Sequence, residues 1–236
     1  MPSFNETSIK ELSIKGSVLP TTNLLLWLNS RKNVSLSGSD VTEWEDYRKN
    51  GIVFTSSSGS RPTISSVNGI QSVAANGSQF LTNSTISLPN QYSVFVVANR
   101  TGSAPTFGWI LNFSTGNFVF VFGASFGNFA TFSGNGSGWN DTNANSPAVA
   151  IGSSLVRLTA TNNNSTITPY VGSTAQSTKT GNTVTSTGAI LFTGGAGGAS
   201  QYWTGNLLEL LIYDGVVSDA NRQAIWDYLS ASNGVN

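Results

Sequence analysis

The chain has 236 residues, with 11 basic residues balanced by 11 acidic ones, and it contains no cysteine or histidine. Its length allows a single domain with a full core. The absence of a Lys/Arg cluster argues against nucleic-acid binding, and no apolar run is long enough to span a bilayer. Thiol chemistry is excluded, and the commonest general base and metal ligand is missing.

The first residues differ from the rest of the chain. Ser8 and Glu11 have the spacing of a capping box, and Ile9 and Leu12 would share one face of a short helix. Ile14 would lie outside that helix or open an extended segment. A charged region followed by an apolar one is not found here, so we expect no secretory signal.

Two interpretations of residues 1–22 remain open. One is a frayed terminus. The other is an attachment arm that docks on a partner or on a neighbouring copy, with Ile9, Leu12 and Ile14 as its apolar contacts.

Apolar or alternating segments predict the strands that follow. They lie at 24–28, 92–98, 107–113, 118–122, 129–132, 155–160, 166–171 and 189–192. Pro169 favours an edge or bulge position for the strand at 166–171. Turn dipeptides such as Asn76-Gly77 separate the segments, which indicates an antiparallel all-β fold.

A single helix is predicted close to the end of the chain. Ser218 is its N-cap, and Asp219 lies in its first turn. Ile225, Tyr228 and Leu229 have the spacing of one helical face, while Gly234 is suited to the C-terminal stop.

Several landmarks in order resemble the laminin-G-like, concanavalin A-type jelly rolls. They are Leu26-Trp27-Leu28-Asn29, Trp44-Glu45-Asp46 with Gly51, Arg61-Pro62-Thr63, Asn68-Gly69, Gln79-Phe80-Leu81, the segment 92–98, Trp203-Thr204-Gly205, the segment 208–214 and Ser218-Asp219. The resemblance covers about residues 23–232. It implies an antiparallel jelly-roll β-sandwich. We therefore expect that domain, with its one C-terminal helix, over residues 23–236, and residues 1–22 as a separate N-terminal arm.

Glycoside hydrolysis is the first chemistry to weigh, because some enzymes of this fold perform it. It requires two carboxylates that face one sugar bond. Glu43 and Glu45 alternate on a predicted strand, but Asp46 points to the other face and no third acid follows. We therefore expect that the protein is not an enzyme and has no catalytic residue. We expect the Asp46 side chain to form hydrogen bonds with nearby backbone.

In carbohydrate binding, sugars stack on exposed aromatic faces and form hydrogen bonds with Asn, Asp and backbone groups. Trp139 lies in a loop-like stretch with no apolar neighbours, so it is the tryptophan that we most expect to be exposed. Asn140, Asp141 and Asn143 follow it. Loop packing is the alternative for Trp139. The other five tryptophans are expected in the core or as packing anchors.

The Asn/Asp-rich stretch 140–143 also has the oxygen chemistry of a calcium site, to which Asp46 would add charge. A plain loop is the alternative, and no cofactor is otherwise indicated. Ten Asn-x-Ser/Thr sequons occur, at Asn5, Asn33, Asn76, Asn83, Asn99, Asn112, Asn135, Asn140, Asn163 and Asn164. In a chain so rich in Ser and Thr we interpret them as composition.

Members of the resembled family are often appended to viral and phage surface proteins, secreted bacterial proteins and adhesins. The resemblance thus implies a non-enzymatic virion surface protein, such as a capsid-decoration, fibre or tail-associated component. Its partners would be other virion proteins or copies of itself, held through residues 1–20, and a surface glycan. A secreted or cell-surface carbohydrate-binding module is the alternative, and a glucan-acting enzyme the weaker one.

Overall fold

The computed structural model describes residues 13–14, 17–101, 107–113, 119–123, 129–134, 139–141, 152–164, 166–176, 178–180, 186–192 and 202–235. Within these residues there are twenty strands and one helix. The ladders between the strands are antiparallel, and an isolated bridge between Trp109 and Tyr202 is parallel. The predicted antiparallel all-β sandwich with one C-terminal helix is confirmed.

The strands of the first half are β1 (Ser13–Ile14), β2 (Ser17–Val18), β3 (Leu24–Asn29), β4 (Val34–Ser37), β5 (Asp40–Glu45), β6 (Val53–Thr55), β7 (Thr63–Val67), β8 (Ile70–Asn76), β9 (Leu81–Leu88) and β10 (Gln91–Arg100). Those of the second half are β11 (Phe107–Phe113), β12 (Val119–Gly123), β13 (Phe129–Gly134), β14 (Trp139–Asp141), β15 (Gly152–Asn163), β16 (Thr166–Val171), β17 (Thr174–Ala175), β18 (Lys179–Thr180), β19 (Ser186–Leu191) and β20 (Thr204–Asp214). The helix, α1, is Asp219–Asn233. Each strand that the sequence predicted is present.

The first sheet is centred on β10, which lies between β15 and β20. β20 has two partners along its other edge. β3 pairs with the stretch Glu209–Tyr213, and β8 pairs with Thr204–Leu207. β7 lies beside β8, while β16 lies beyond β15 and carries the short strands β17 and β18. Pro169 falls between the parts of β16 that pair with these short strands, as its missing N–H requires.

The second sheet runs in the order β4, β5, β6, β9, β19, β11, β12, β13 and β14. In the part of the chain that the structure describes, one bridge between strands, from Asp40 to Thr63, joins it to the first sheet. The main core lies between the two sheets. It contains Trp44, Phe54 and Phe113 of the second sheet, packed with Val94 and Val96 of the first.

Helix α1 covers the outer face of the first sheet. Alternate residues of β3, β10 and β20 face it, among them Trp27, Phe95 and Leu211, and they form a second core with Ile225 and Trp226. This explains why these strands are apolar on both faces. The predicted ends of the helix are confirmed. The Ser218 side chain accepts from Asn221 N, and Gly234 has the left-handed conformation of a C-cap.

Candidate functional site

Five of the six tryptophans are buried packing residues, as expected. Trp27, Trp44, Trp109, Trp203 and Trp226 are each at most 4% exposed. The indole N–H groups of three of them have internal acceptors: Trp27 donates to Glu209, Trp44 to the Asn29 carbonyl and Trp226 to Thr159. None of these five rings presents a face on which a sugar could stack.

Trp139 lies in a different setting from the one that the sequence suggested. The stretch Trp139–Asp141 is not a loop but the strand β14, and Trp139 pairs with Gly134 of β13. The side chains of Trp139, Asn140 and Asp141, and the whole of Asn143, lie outside the described residues, so their role in glycan binding stays a prediction.

The predicted arm overlaps the folded body of the protein. Ile14 belongs to β1, which confirms the extended segment, whereas Ile9 and Leu12 lie outside the described residues. Leu19 is 2% exposed and belongs to the second core, and the Pro20 carbonyl accepts a hydrogen bond from the Tyr213 hydroxyl at 2.8 Å. Residues 19–20 are thus anchored on the domain. The attachment role of residues 1–20 stays a prediction.

Asp46 is a structural carboxylate. It is fully buried, and its Oδ1 accepts from Trp27 N at 2.6 Å while its Oδ2 pairs with Arg48 Nε at 3.2 Å. Burial raises the pKa of Asp46 in spite of the opposing charge of Arg48. The backbone bond expected for this residue is confirmed. The suggestion that Asp46 adds charge to a calcium site was wrong, because both of its oxygens are engaged inside the fold.

Glu209 is the second buried carboxylate, and it lies between β20 and α1. Its Oε1 accepts from Trp27 Nε1 (2.7 Å) and Asn29 Nδ2 (3.2 Å), and its Oε2 accepts from Asn233 Nδ2 (2.7 Å). The Nη2 atom of Arg31 lies 3.8 Å from Oε2 of Glu209. Burial raises the pKa of Glu209, and these donors oppose the shift. The carboxylate of Glu209 links the end of the helix to the sheet through these hydrogen bonds. Because it is enclosed by protein, it has no access to a substrate.

Among the residues whose side chains are described, no three acids come together in the manner of a metal site. A calcium ion at 140–143 stays a prediction. Within the same part of the chain, no helix has the length and apolarity needed to cross a membrane.

The sequons divide by burial. Asn83, Asn99 and Asn112 are at most 8% exposed. The Asn83 amide nitrogen donates to the Val53 carbonyl at 2.8 Å, and its Oδ1 accepts from Thr85 and Ile86. These three asparagines are therefore closed to a glycosyltransferase in the folded protein.

A polar depression of about 500 Å³ lies on the outer face of the first sheet, where β7, β8, β20 and β10 run side by side. We call it the amide depression. Its lining includes Thr63, Ser65, Val67, Ala74, Asn76, Asn99, Thr204 and Asn206. One rung of the sheet crosses its floor, from Thr63 through Ala74 and Asn206 to Asn99. Val67 also belongs to the second core, so one end of the depression adjoins the part of the sheet that the helix covers.

A chain of hydrogen bonds fixes this floor. Ser72 Oγ donates to Asn206 Oδ1 (2.9 Å), and Asn206 Nδ2 donates to Asn99 Oδ1 (2.8 Å). Gly205 allows β20 to approach β10 here, because a Cβ at this position would lie 2.1 Å from the Asn99 carbonyl oxygen. The two amides are thus held in one orientation before any ligand arrives.

A second depression of about 510 Å³ lies on the second sheet, over β6, β9 and β19. We call it the hydroxyl depression. Its lining includes Thr55, Thr82, Asn83, Ser84, Thr85, Thr187 and Gly188. Thr82 donates to the Thr55 carbonyl, Thr187 bonds Ser87, and Thr85 bonds Asn83. Most of its polar side chains are therefore already bonded to the protein.

Both depressions are uncharged. No acidic, basic or aromatic residue is among the described residues that line either of them. The sequence reasoning did not identify these residues, because their strands are far apart in the chain. The one signal present was the Ser and Thr content of short strands such as Thr63–Val67.

Comparison with known proteins matches the fold but gives no close relative. No family model matches the chain, and no curated protein matches it. Solved structures do match. Domain 4 of AbnA, a GH43 extracellular arabinanase from Geobacillus stearothermophilus in complex with arabinotriose, has a TM-score of 0.58 at 17% identity, over 87% of this chain and 98% of that one.

Two further matches are parts of larger proteins. The binding domain of Paraclostridial Mosquitocidal Protein 1 has a TM-score of 0.62 at 11% identity, over 90% of this chain and 53% of that one. A Trypanosoma rangeli sialidase has a TM-score of 0.61 at 12% identity, over 94% of this chain and 35% of that one. This chain thus spans about half of the toxin domain and a third of the sialidase. At these identities the comparisons establish a shared β-sandwich fold.

Proposed function

We propose that this protein is a non-catalytic carbohydrate-binding module. The observation that carries the proposal is the lining of the two sheet-face depressions, which consists of hydroxyl, amide and small apolar groups without a charge. Such groups exchange hydrogen bonds with sugar hydroxyls and require no counter-ion. A domain of this fold crystallised with arabinotriose supports the same class of ligand.

The absence of catalysis is part of the proposal. Glycoside hydrolysis needs two acids that reach the same bond. Asp46 and Glu209 are enclosed and bonded within the fold, and neither depression has a described acid in its lining. The finer expectation of a laminin-G-like jelly roll remains compatible with the two-sheet fold and stays a prediction.

The test uses a glycan array together with a reducing-sugar assay on the same polysaccharides. We expect binding to one class of glycan and no release of reducing ends above a heat-denatured control. Binding to no glycan would contradict the first part of the proposal, and release of reducing ends would contradict the second.

The virion-surface role that the sequence suggested needs a separate test. Nothing in the described residues favours it over a secreted module, and the solved structures named above are a glycosidase domain, a toxin domain and a sialidase. Mass spectrometry of particles or culture medium that contain the native protein would identify which assembly holds it at stoichiometric amounts.

A further inference from the structure

We infer that the amide depression of the first sheet is a binding site for an uncharged sugar. The inference rests on the proposed carbohydrate-binding function and assigns it a location and a ligand class. It places the site on the same face as the helix and away from the Trp139 stretch.

The first argument is the difference between the two depressions. In the hydroxyl depression the side chains of Thr82, Thr85 and Thr187 are engaged with the protein. In the amide depression the side chains of Thr63, Ser65, Asn76 and Thr204 have no hydrogen-bond partner among the described residues, although they surround the floor. A ligand that enters the amide depression therefore gains hydrogen bonds without breaking any in the protein.

The second argument is the orientation of the floor. Ser72, Asn206 and Asn99 form a hydrogen-bonded chain, and Asn99 and Asn206 are at most 7% exposed. Their amide groups cannot rotate without losing these bonds, so binding costs little side-chain entropy there. The rung spans three interstrand spacings of about 4.8 Å each, which is wide enough for more than one sugar ring.

The third argument concerns charge. A carboxylated or sulfated sugar would lose hydration in the depression and would need a cation in return. No Lys or Arg is among the described lining residues. Arg100 follows Asn99 in the chain, but the alternation of β10 directs it to the inter-sheet side. Neutral hydroxyl groups, by contrast, match the amide and hydroxyl lining, while Ala74 and Val67 offer a small apolar surface to the ring carbons.

The test compares three variants of the full chain on an array of neutral oligosaccharides (arabino-, xylo-, gluco-, galacto- and manno-) and of sialylated, sulfated and uronate glycans. Asn76→Ala combined with Thr204→Val removes hydrogen-bonding groups from the amide depression. Ala74→Gln fills its floor by a different route. Thr55→Val combined with Ser84→Ala is the matched control in the hydroxyl depression.

We expect the wild type to bind neutral glycans, and each amide-depression variant to bind its preferred glycan about tenfold more weakly or worse, with less than a twofold change for the control. Unchanged circular dichroism and melting temperature would show that the variants are folded. Should one variant fail to fold, the other supplies the result. Retained binding in the folded variants, loss in the control, or binding of anionic glycans alone would overturn this inference and leave the proposed function standing. A wild type that binds no glycan would overturn both.

Discussion

At the scale of single residues, this protein places its few buried charges where they organise backbone rather than chemistry. Asp46 joins β3 to the turn after β5, and Glu209 joins β20 to the end of α1. Removing one partner from such a buried cluster costs about 3–5 kcal/mol, because the remaining polar groups lose their partner away from water. These two acids are therefore better understood as ties between elements than as remnants of an active site.

The raised pKa of Glu209 makes stability depend on pH. Its ordinary value is 4.5, and burial raises the pKa in the folded state. The folded protein therefore binds more protons than the unfolded chain between the two values, so stability falls as pH rises through that range. The stability that the protonated Glu209 contributes is fully present below the pKa of the unfolded chain and is lost above the pKa of the folded protein.

Glu209→Gln should remove this contribution. We expect the free energy of unfolding of the wild type, minus that of the variant, to decrease as pH rises from 4 towards neutral. The decrease should be about 1.4 kcal/mol for each unit by which the pKa is raised. Urea unfolding at a series of pH values measures it, and Glu43→Gln serves as the control at an exposed carboxylate. A difference that is constant with pH would contradict the assignment.

At the scale of elements, α1 is held by its ends as well as by its apolar face. The Ser218 side chain caps the N-terminus, Gly234 ends the helix, and Asn233 reaches back to Glu209. Its middle is fixed by Trp226, whose indole N–H donates to Thr159 at 3.0 Å. The helix closes the outer face of the first sheet, so fraying it would expose Trp27, Phe95 and Leu211 together.

Ser218→Ala tests the cap. The change leaves an amide at the first turn without its acceptor, and we expect it to lower the free energy of unfolding by about 1 kcal/mol. Asn221→Ala is the matched control, because its exposed side chain lies one turn on and alanine favours helix there. Equal effects of the two changes in urea unfolding would show that Ser218 is not a cap in solution.

At the scale of the whole molecule, the two faces of the first sheet form three different parts of the structure. Its inner face builds the main core, one part of its outer face holds the helix, and another part forms the amide depression. The N-terminal segment adds to the helix side through Leu19. Residues 19–20 therefore pack on the domain, although they lie within the segment 1–22 that the sequence predicted as an arm.

Two truncations separate the arm from the body. Deletion of residues 1–12 removes Ile9 and Leu12 but retains Leu19, and we expect the melting temperature to stay unchanged. Deletion of residues 1–20 removes Leu19 from the second core, and we expect a loss of stability of at least about 2 kcal/mol.

Light scattering of the first truncation also tests attachment between copies. A wild type that self-associates through the arm should become monomeric when residues 1–12 are removed.

Equal melting temperatures for the two truncations would contradict the anchoring role of Leu19.

The sequence by itself determined the class of fold, the strands with a clear apolar or alternating pattern, both ends of the helix and the burial of Trp27, Trp44, Trp109, Trp203 and Trp226. These follow from local periodicity, capping residues and turn residues, which act within a few positions of the chain. The strand at Trp139–Asp141 was missed because its pairing with β13, and not its own composition, makes it a strand.

Only the tertiary structure decided which polar residues come together in the two depressions. The alternation of a strand tells which residues point outward, but not which strands are neighbours. Asn99 and Asn206 are 107 positions apart in sequence, yet they share one rung and one hydrogen bond. Whether a hydroxyl group is engaged or available depends on the same distant pairing, and for this reason the two depressions, similar in composition, differ in what they offer to a sugar.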